Sequence, residues 1–131
     1  MKLKYPIVAV DFDGTITMKD TYPKIGELNY IAINYLKQYK NLGGKLILWT
    51  CRSDLSLLHA ITKCESVGLT FDAVNTNVEE SIKRWKQQNP TTSISNKPFY
   101  NMLIDDKNYP FCVNGIDWVV LSRELLKCID E

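Results

Sequence analysis

The chain lacks the features that mark membrane, secreted and polyanion-binding proteins. Its apolar runs are far shorter than the roughly 20 residues that cross a membrane, and the first of them stops at Asp11, too early for a signal peptide. Its 16 basic residues are balanced by 15 acidic ones, which gives no sign of a polyanion partner. We therefore predict a soluble cytoplasmic protein without a membrane partner, for which nucleic acid is a less favoured partner than a small molecule.

Cysteines with metal-binding spacing are also missing. The four cysteines show no CxxC or similar zinc-like pattern, so we predict the reduced thiols of an intracellular protein. No internal repeat or low-complexity segment occurs within the 131 residues. This length suits one domain with its own hydrophobic core, and we assign residues 1–131 to a single domain.

The most informative stretch that is present covers residues 7–15 and reads IVAVDFDGT. Its four apolar residues predict a buried strand of a parallel sheet, and Asp11 and Asp13 follow at the carboxyl end of that strand. Ligands of open α/β sheets gather at such ends. Two carboxylates there repel each other and are costly to desolvate unless a cation or a shared proton compensates. The pair therefore predicts a metal site.

Strands and helices alternate along the rest of the chain. The predicted strands cover residues 7–10, 45–50, 71–75, 99–104 and 118–121. The predicted helices cover residues 24–42, 55–67 and 78–88, and a short helix follows the last strand. This order is typical of an α/β fold, and we predict a doubly wound, Rossmann-like parallel sheet of five strands with helices on both faces.

Two polar residues are predicted to begin helices. Asp54 is expected to cap the second helix, and Asn77 to cap the third, which has acidic residues in its first turn. The inward face of the second helix is predicted to carry Leu57, Leu58, Ile61 and Cys64.

Polar residues also follow the ends of two later strands. Thr50 stands at the tip of the second predicted strand, and Asp105 and Asp106 stand at the tip of the fourth. If the first, second and fourth strands lie side by side, four carboxylates and a hydroxyl converge on one edge of the sheet. Such a joint placement favours a functional site over separate polar turns.

Four motifs then occur in a familiar order: the run DFDGT, Thr50 after an apolar strand, a downstream Lys97, and the pair Asp105–Asp106. Together they resemble the motifs of the haloacid dehalogenase (HAD) superfamily of aspartate-nucleophile phosphohydrolases, and they span residues 7–106. The nearest resemblance is to the small, single-domain type without a cap domain. Residues 14–23 and 76–96 are too short to hold a domain of even about 50 residues.

The resemblance implies roles for the four carboxylates. Asp11 would attack phosphorus and form an aspartyl-phosphate, and Asp13 would act as the general acid and base. Mg²⁺ would be held by Asp11, by the backbone carbonyl of Asp13 and by Asp105. Asp106 would bind a metal-bound water or steady its neighbours.

The resemblance also implies phosphate-binding groups. Thr50 would hold phosphate oxygens, and Lys97 would supply a positive charge. Lys83 and Lys86 are rivals for the second role, although both fall on a helix of mostly solvated character. Arg52 is either a contact for a second anionic group of the substrate or a plain surface arginine.

We therefore predict a Mg²⁺-dependent phosphatase that acts on a small phosphorylated metabolite or a nucleotide. A catalytically idle binding module and a nucleic-acid 3′-end phosphatase are the alternatives. A phosphoaccepting signalling domain is disfavoured, because such domains carry the phosphorylated aspartate after the third strand, where this chain has Asn75. An uncapped site implies a large substrate, loose specificity, or a homo-oligomer whose neighbouring subunit covers the site.

Overall fold

The structure, a computed structural model, describes residues 2–95, 97–107 and 115–130. Its helices are Tyr30–Asn41 (α1), Asp54–Glu65 (α2), Glu79–Gln88 (α3) and Trp118–Leu125 (α4). Its strands are Lys2–Leu3 (β1), Ile7–Val10 (β2), Lys45–Leu48 (β3), Ala73–Val74 (β4), Met102–Ile104 (β5) and Cys128–Ile129 (β6). None of the helices in these ranges is long and apolar enough to cross a membrane.

A parallel sheet of four strands forms the centre of the molecule, in the order β4-β3-β2-β5. Strand β2 lies between β3 and β5, with Val8 paired to Leu46 on one side and to Met102 on the other. The short strands β1 and β6 pair antiparallel in a separate two-stranded sheet. The first, second and fourth predicted strands therefore lie side by side, which is the condition on which the convergence of the carboxylates depends.

The two faces of the parallel sheet are covered unequally. Side chains alternate between the faces along a strand, so Val8 and Val10 pack into a large core with residues of α1, α2 and α4. On the other face Ala9, Ile47 and Val78 form a much smaller buried cluster beside the start of α3. The continuous apolar sequence of these strands fits this arrangement, because a strand buried on both faces needs apolar residues at every position.

The predicted fifth strand over 118–121 is wrong, because those residues begin helix α4. The carboxylate of Asp117 accepts hydrogen bonds from the backbone N–H groups of Val119 and Val120, which caps the helix. Trp118, Ser122 and Leu125 then turn to the core at helical spacing. Within the ranges that the structure describes, the parallel sheet has four strands rather than five.

Helix α1 begins six residues later than predicted, at Tyr30 rather than at 24. The side chain of Asn29 accepts hydrogen bonds from the N–H groups of Ile31 and Ala32 and so fixes the first turn. The apolar residues before this cap do not belong to the helix. Leu28 is instead buried in an extended segment that forms an isolated antiparallel bridge with Thr17.

The two predicted caps are also wrong. Helix α2 begins at Asp54 itself with Ser53 as its N-cap, and its buried residues are Ala60 and Cys64, whereas Leu58 is exposed. Helix α3 has Val78 as its N-cap, without a side-chain cap. The side chain of Asn77 instead bonds to the backbone of a later segment: it accepts from the Phe99 N–H and donates to the carbonyls of Ser95 and Lys97.

Candidate active site

A cavity of about 750 Å³ opens at the carboxyl ends of the parallel strands. Two backbone hydrogen bonds join neighbouring strands at these ends. The Asp11 N–H donates to the Ile104 carbonyl, and the Trp49 N–H donates to the Val10 carbonyl. The predicted site residues that line this cavity are Asp11, Asp13, Thr50, Arg52 and Asp105. We call it the acidic pocket.

Three carboxylates of this edge form a cluster. One oxygen each from Asp11, Asp105 and Asp106 lies within 4.8 Å of the others. Burial, followed by the negative charges of Asp105, Asp106 and Asp13, raises the pKa of Asp11 to about 7. Burial is costly for a charge that has no compensating partner, so this cluster is suited to a divalent cation.

Asp106 is held against the loop that follows β2. Its N–H donates to the Thr15 hydroxyl at 3.1 Å, while its buried Oδ1 accepts no hydrogen bond and lies 3.6 Å from Lys107 Nζ. Gly14 has a φ of +77°, and a Cβ at this position would collide with the Asp106 carboxylate. Glycine is therefore required where the loop passes the cluster, and a buried carboxylate oxygen that accepts no hydrogen bond fits a metal ligand.

Asp13 is held apart from this cluster by Arg52. The guanidinium Nε and Nη2 donate to Asp13 Oδ2 and Oδ1, each at 2.7 Å. Arg52 is only 2% exposed, and the hydrogen bonds to Asp13 raise its pKa. Such a bidentate pair is strong and directional. The Asp13 side chain is thus engaged by an arginine, which leaves its backbone carbonyl as its predicted contribution to metal binding.

The reading of Arg52 as a plain surface arginine is wrong, because the residue is buried, whereas its contact with a second anionic group of the substrate stays a prediction. Its remaining N–H groups donate to the backbone carbonyls of Pro23, Lys24 and Ser56. A guanidinium has five N–H donors, and all five are used within the protein. An anionic group of a substrate would therefore have to replace one of these bonds in order to bind Arg52.

Thr50 lines the acidic pocket with its hydroxyl proton available. Its Oγ1 accepts a hydrogen bond from the backbone N–H of Arg52 at 3.1 Å, and its own backbone N–H donates to Asn75 Oδ1 at 2.8 Å. A hydroxyl that accepts one bond can still donate its proton. Asn75 adopts a positive φ of 53° at the end of β4, a conformation that asparagine tolerates better than most residues.

Lys97 is not brought into the acidic pocket. It lies with Asn77, Arg84, Trp85 and Phe99 in the lining of a separate cavity of about 320 Å³ beside α3, which we call the α3 pocket. Lys83 and Lys86 line neither cavity.

The lysine that does line the acidic pocket is Lys107. The negative charge of Asp106 raises the pKa of Lys107, so it is a cation at neutral pH. Sequence reasoning did not assign a role to Lys107, Thr15 or Asn75. Lys107 follows the acidic pair and Thr15 ends the DFDGT motif, so both could have been found. Nothing in the sequence indicates the contact between Asn75 and Thr50.

Comparisons with known proteins give two findings. The chain is 36% identical to a conserved protein from Bacteroides thetaiotaomicron of solved structure, with a TM-score of 0.70, covering 89% of this chain and 86% of that one. It is also 30% identical over 120 residues to the "Bifunctional enzyme MtnB/MtnX" of Bacillus licheniformis, which covers 90% of this chain but 24% of that enzyme. The chain thus spans about a quarter of that relative's length. No family model matches the chain.

Proposed function

We propose that this chain, which belongs to the same family as the conserved Bacteroides thetaiotaomicron protein, is a magnesium-dependent phosphatase of the HAD type that hydrolyses phosphate monoesters. The observation that carries the proposal is the acidic pocket, in which clustered carboxylates and the paired Asp13 meet at the strand ends. The kinship with a bifunctional enzyme of Bacillus licheniformis supports an enzymatic role.

Asp11 is the proposed nucleophile. Its carboxylate oxygen forms a bond to phosphorus while the bond from phosphorus to the leaving oxygen breaks, which leaves an aspartyl-phosphate. Water then attacks the same phosphorus, the bond to Asp11 breaks, and inorganic phosphate leaves with Asp11 restored. A position at the end of the central strand β2 supports this role, because the rigid sheet fixes the attacking atom.

Asp13 is the proposed general acid and base. In the first step it gives a proton to the leaving oxygen, and in the second it takes a proton from the attacking water. Both oxygens of Asp13 accept charge-assisted bonds from Arg52, which fix the orientation of the carboxyl group that transfers the proton. Aryl phosphates, whose leaving oxygens need little protonation, are expected to be better substrates than alkyl phosphates.

The metal would be held by Asp11, Asp105 and Asp106. Their clustered oxygens, among them an Asp106 Oδ1 that accepts no hydrogen bond, fit a cation that prefers oxygen ligands. When bound, Mg²⁺ supplies the charge neutralisation that lets an anionic carboxylate approach an anionic phosphate. Asp106 is thus proposed as a direct ligand rather than a supporting neighbour.

Two further groups are proposed to hold the phosphate. Thr50 donates its free hydroxyl proton to a phosphate oxygen, and Lys107 supplies the positive charge because it lines the acidic pocket. Lys97, which the order of the motifs selects, is the competing candidate for that charge.

The test is phosphate release by the purified protein from p-nitrophenyl phosphate and from a panel of nucleotides, sugar phosphates and 3′-phosphorylated oligonucleotides. We expect Mg²⁺-dependent release that EDTA abolishes and added Mg²⁺ restores, with small phosphates preferred over oligonucleotides. Mass spectrometry of the protein after incubation identifies a stable phosphoprotein if one forms. No release from any compound, or a phosphorylated protein that never turns over, would contradict a phosphatase and favour a binding or signalling module.

A further inference from the structure

Arg52 connects three parts of the chain that are distant in sequence. Besides Asp13, its guanidinium donates from Nη1 to the Pro23 carbonyl at 3.1 Å and from Nη2 to the Lys24 carbonyl at 3.0 Å. A longer bond of 3.4 Å reaches the Ser56 carbonyl in the first turn of α2. A single buried side chain thus ties the loop after β2 to the general acid and base and to a neighbouring helix.

The same guanidinium is enclosed by two aromatic rings. Its central carbon lies 5.2 Å from the ring centroid of Phe12 and 5.1 Å from that of Tyr22. Cations attract the faces of aromatic rings over such distances. Phe12 is fully buried, whereas Tyr22 is 57% exposed and lines the acidic pocket, so Arg52 also supports one wall of that pocket.

The tip of the loop that Arg52 binds has few other hydrogen bonds to the rest of the chain. We call residues 14–28 the flap, because they pass from the end of β2 across the mouth of the acidic pocket, where Asp20 and Tyr22 line it. Its base is held by the Thr17–Leu28 bridge and by a bond from Met18 N–H to the Glu27 carbonyl. Among the described residues, the hydrogen bonds that join segment 19–27 to chain outside the flap all come from Arg52.

We propose that Arg52 is the positioning residue that locks the tip of the flap and the carboxylate of Asp13 into one unit. The proposal rests on the proposed phosphatase function for its catalytic meaning. Because one guanidinium holds both partners, displacement of the flap tip removes two of the bonds that fix Arg52 and so loosens its hold on Asp13. Asp13 is therefore aligned for proton transfer only while the flap is seated against Arg52, which couples the shape of the pocket mouth to the chemistry behind it.

The first test is hydrogen–deuterium exchange of the flap in the full chain, without metal or substrate. We expect Arg52→Lys and Arg52→Ala to speed exchange in flap peptides about tenfold or more, because local opening is limited by the bonds that are lost. Asp13→Asn weakens the same lock from its other end and should also speed flap exchange. Arg123→Ala, an exposed arginine on α4, is the matched control and should leave it unchanged.

The second test separates positioning from folding by kinetics on p-nitrophenyl phosphate. Arg52→Lys keeps the charge but loses the planar fork, so we expect kcat to fall about tenfold or more with KM changed less than about threefold. Guanidinium ion at millimolar concentration should restore part of kcat in Arg52→Ala, whereas equal concentrations of KCl or urea should not.

The two tests fail in different ways. Flap exchange within about twofold of the unaltered protein in Arg52→Lys, Arg52→Ala and Asp13→Asn would overturn the lock. Faster exchange with an unchanged kcat would overturn the coupling to Asp13. An unaltered protein without phosphatase activity would remove the proposed function, and the exchange data would still decide whether Arg52 joins the flap to Asp13.

Discussion

The acidic pocket and the α3 pocket differ in how their charged side chains are held. In the acidic pocket Arg52 is buried and uses every donor, and Asp11 and Asp106 are partly buried with raised pKa values. In the α3 pocket Arg84 and Lys97 are exposed, and their charged groups form no ion pair within the part of the chain that the structure describes. Solvated cations cost little, whereas clustered buried carboxylates destabilise a fold unless something binds them.

The difference in charge favours the acidic pocket over the α3 pocket as the functional site. Exposed cations beside Trp85 and Phe99 are what an ordinary protein surface contains, although the volume of the α3 pocket alone would admit a small ligand. The acidic cluster has an electrostatic cost that no neighbouring residue fully removes, and such costs concentrate at functional sites. The two pockets are therefore expected to differ in function as they differ in charge.

The largest effect is expected from Asp11→Asn, which should lower phosphate release by about 10³-fold or more because the nucleophile is lost. The melting temperature should not fall, since an amide removes one of several repelling charges in the cluster. Phosphate release and thermal denaturation measured on the same preparation check both parts. Asp130→Asn, at an exposed position, is the control, and retained activity in Asp11→Asn would assign the nucleophile elsewhere.

Metal binding should be the next largest effect and can be measured without substrate. Mg²⁺ at 100 times its Kd should stabilise the protein by about 2.7 kcal/mol if it binds only the folded state. Thermal denaturation with Mg²⁺ and with EDTA gives the shift. Asp105→Asn and Asp106→Asn should reduce it strongly.

Gly14→Ala tests the same metal site through the backbone. The added methyl group would meet the Asp106 carboxylate at a positive φ, so the Mg²⁺-dependent rise in melting temperature should shrink. Gly43→Ala is a useful control, because it shares a positive φ but has open space around its Cβ position. An equal Mg²⁺ shift in Gly14→Ala and Gly43→Ala would speak against ligation by Asp106.

The lysines test the boundary between the two pockets. Lys107→Ala should lower kcat/KM about tenfold because a cation facing the phosphate is lost, whereas Lys97→Ala and Lys83→Ala should change it by less than about threefold. Kinetics on one aryl phosphate suffice. A larger loss in Lys97→Ala than in Lys107→Ala would show that the Lys97 side chain reaches across to the acidic pocket, as the motif order predicts.

The smallest effect on catalysis is expected from Asn77→Ala. The Asn77 amide accepts from the Phe99 N–H at 2.6 Å and donates to the carbonyls of Ser95 and Lys97. Loss of these buried bonds should lower the free energy of unfolding by about 1–3 kcal/mol, measured by urea denaturation. At temperatures where the variant is folded, kcat should stay within about twofold of the unaltered protein; a large fall in kcat would mean that the α3 pocket takes part in the reaction.

Local patterns predicted most of the sheet and the position of the carboxylates. The apolar run before Asp11 and the equivalent runs before Thr50 and Asp105 were sufficient to predict buried parallel strands, because a strand buried on both faces needs apolar residues throughout. That these strands are neighbours was known only from the structure. The strand predicted over 118–121 was wrong for the same reason, since the apolar residues of that segment fit a buried strand equally well. Capping by Asp117 decided for a helix, a local signal that outweighs strand propensity.

The roles of Asp11, Asp13, Thr50, Lys97 and the later acidic pair remain predictions from the motifs, and the structure contributes their surroundings. For Arg52, sequence reasoning left two readings, and both missed the pairing with Asp13 across 39 positions of the chain. Nothing near Arg52 in the sequence indicates this partner. The contact exists because the turn after β3 and the flap after β2 are brought together at one edge of the sheet.

By itself, the sequence determined that this protein has a parallel α/β core and carries a pair of carboxylates at the end of its first parallel strand. Alternation of side chains and strand propensity act over a few residues, so they can be seen in the order of the amino acids. Only the tertiary structure decided that Asp13 pairs with Arg52, that Asp106 joins Asp11 in the cluster, and that Lys107 lines the pocket. Those partnerships depend on distances between segments far apart in the chain, which packing alone sets.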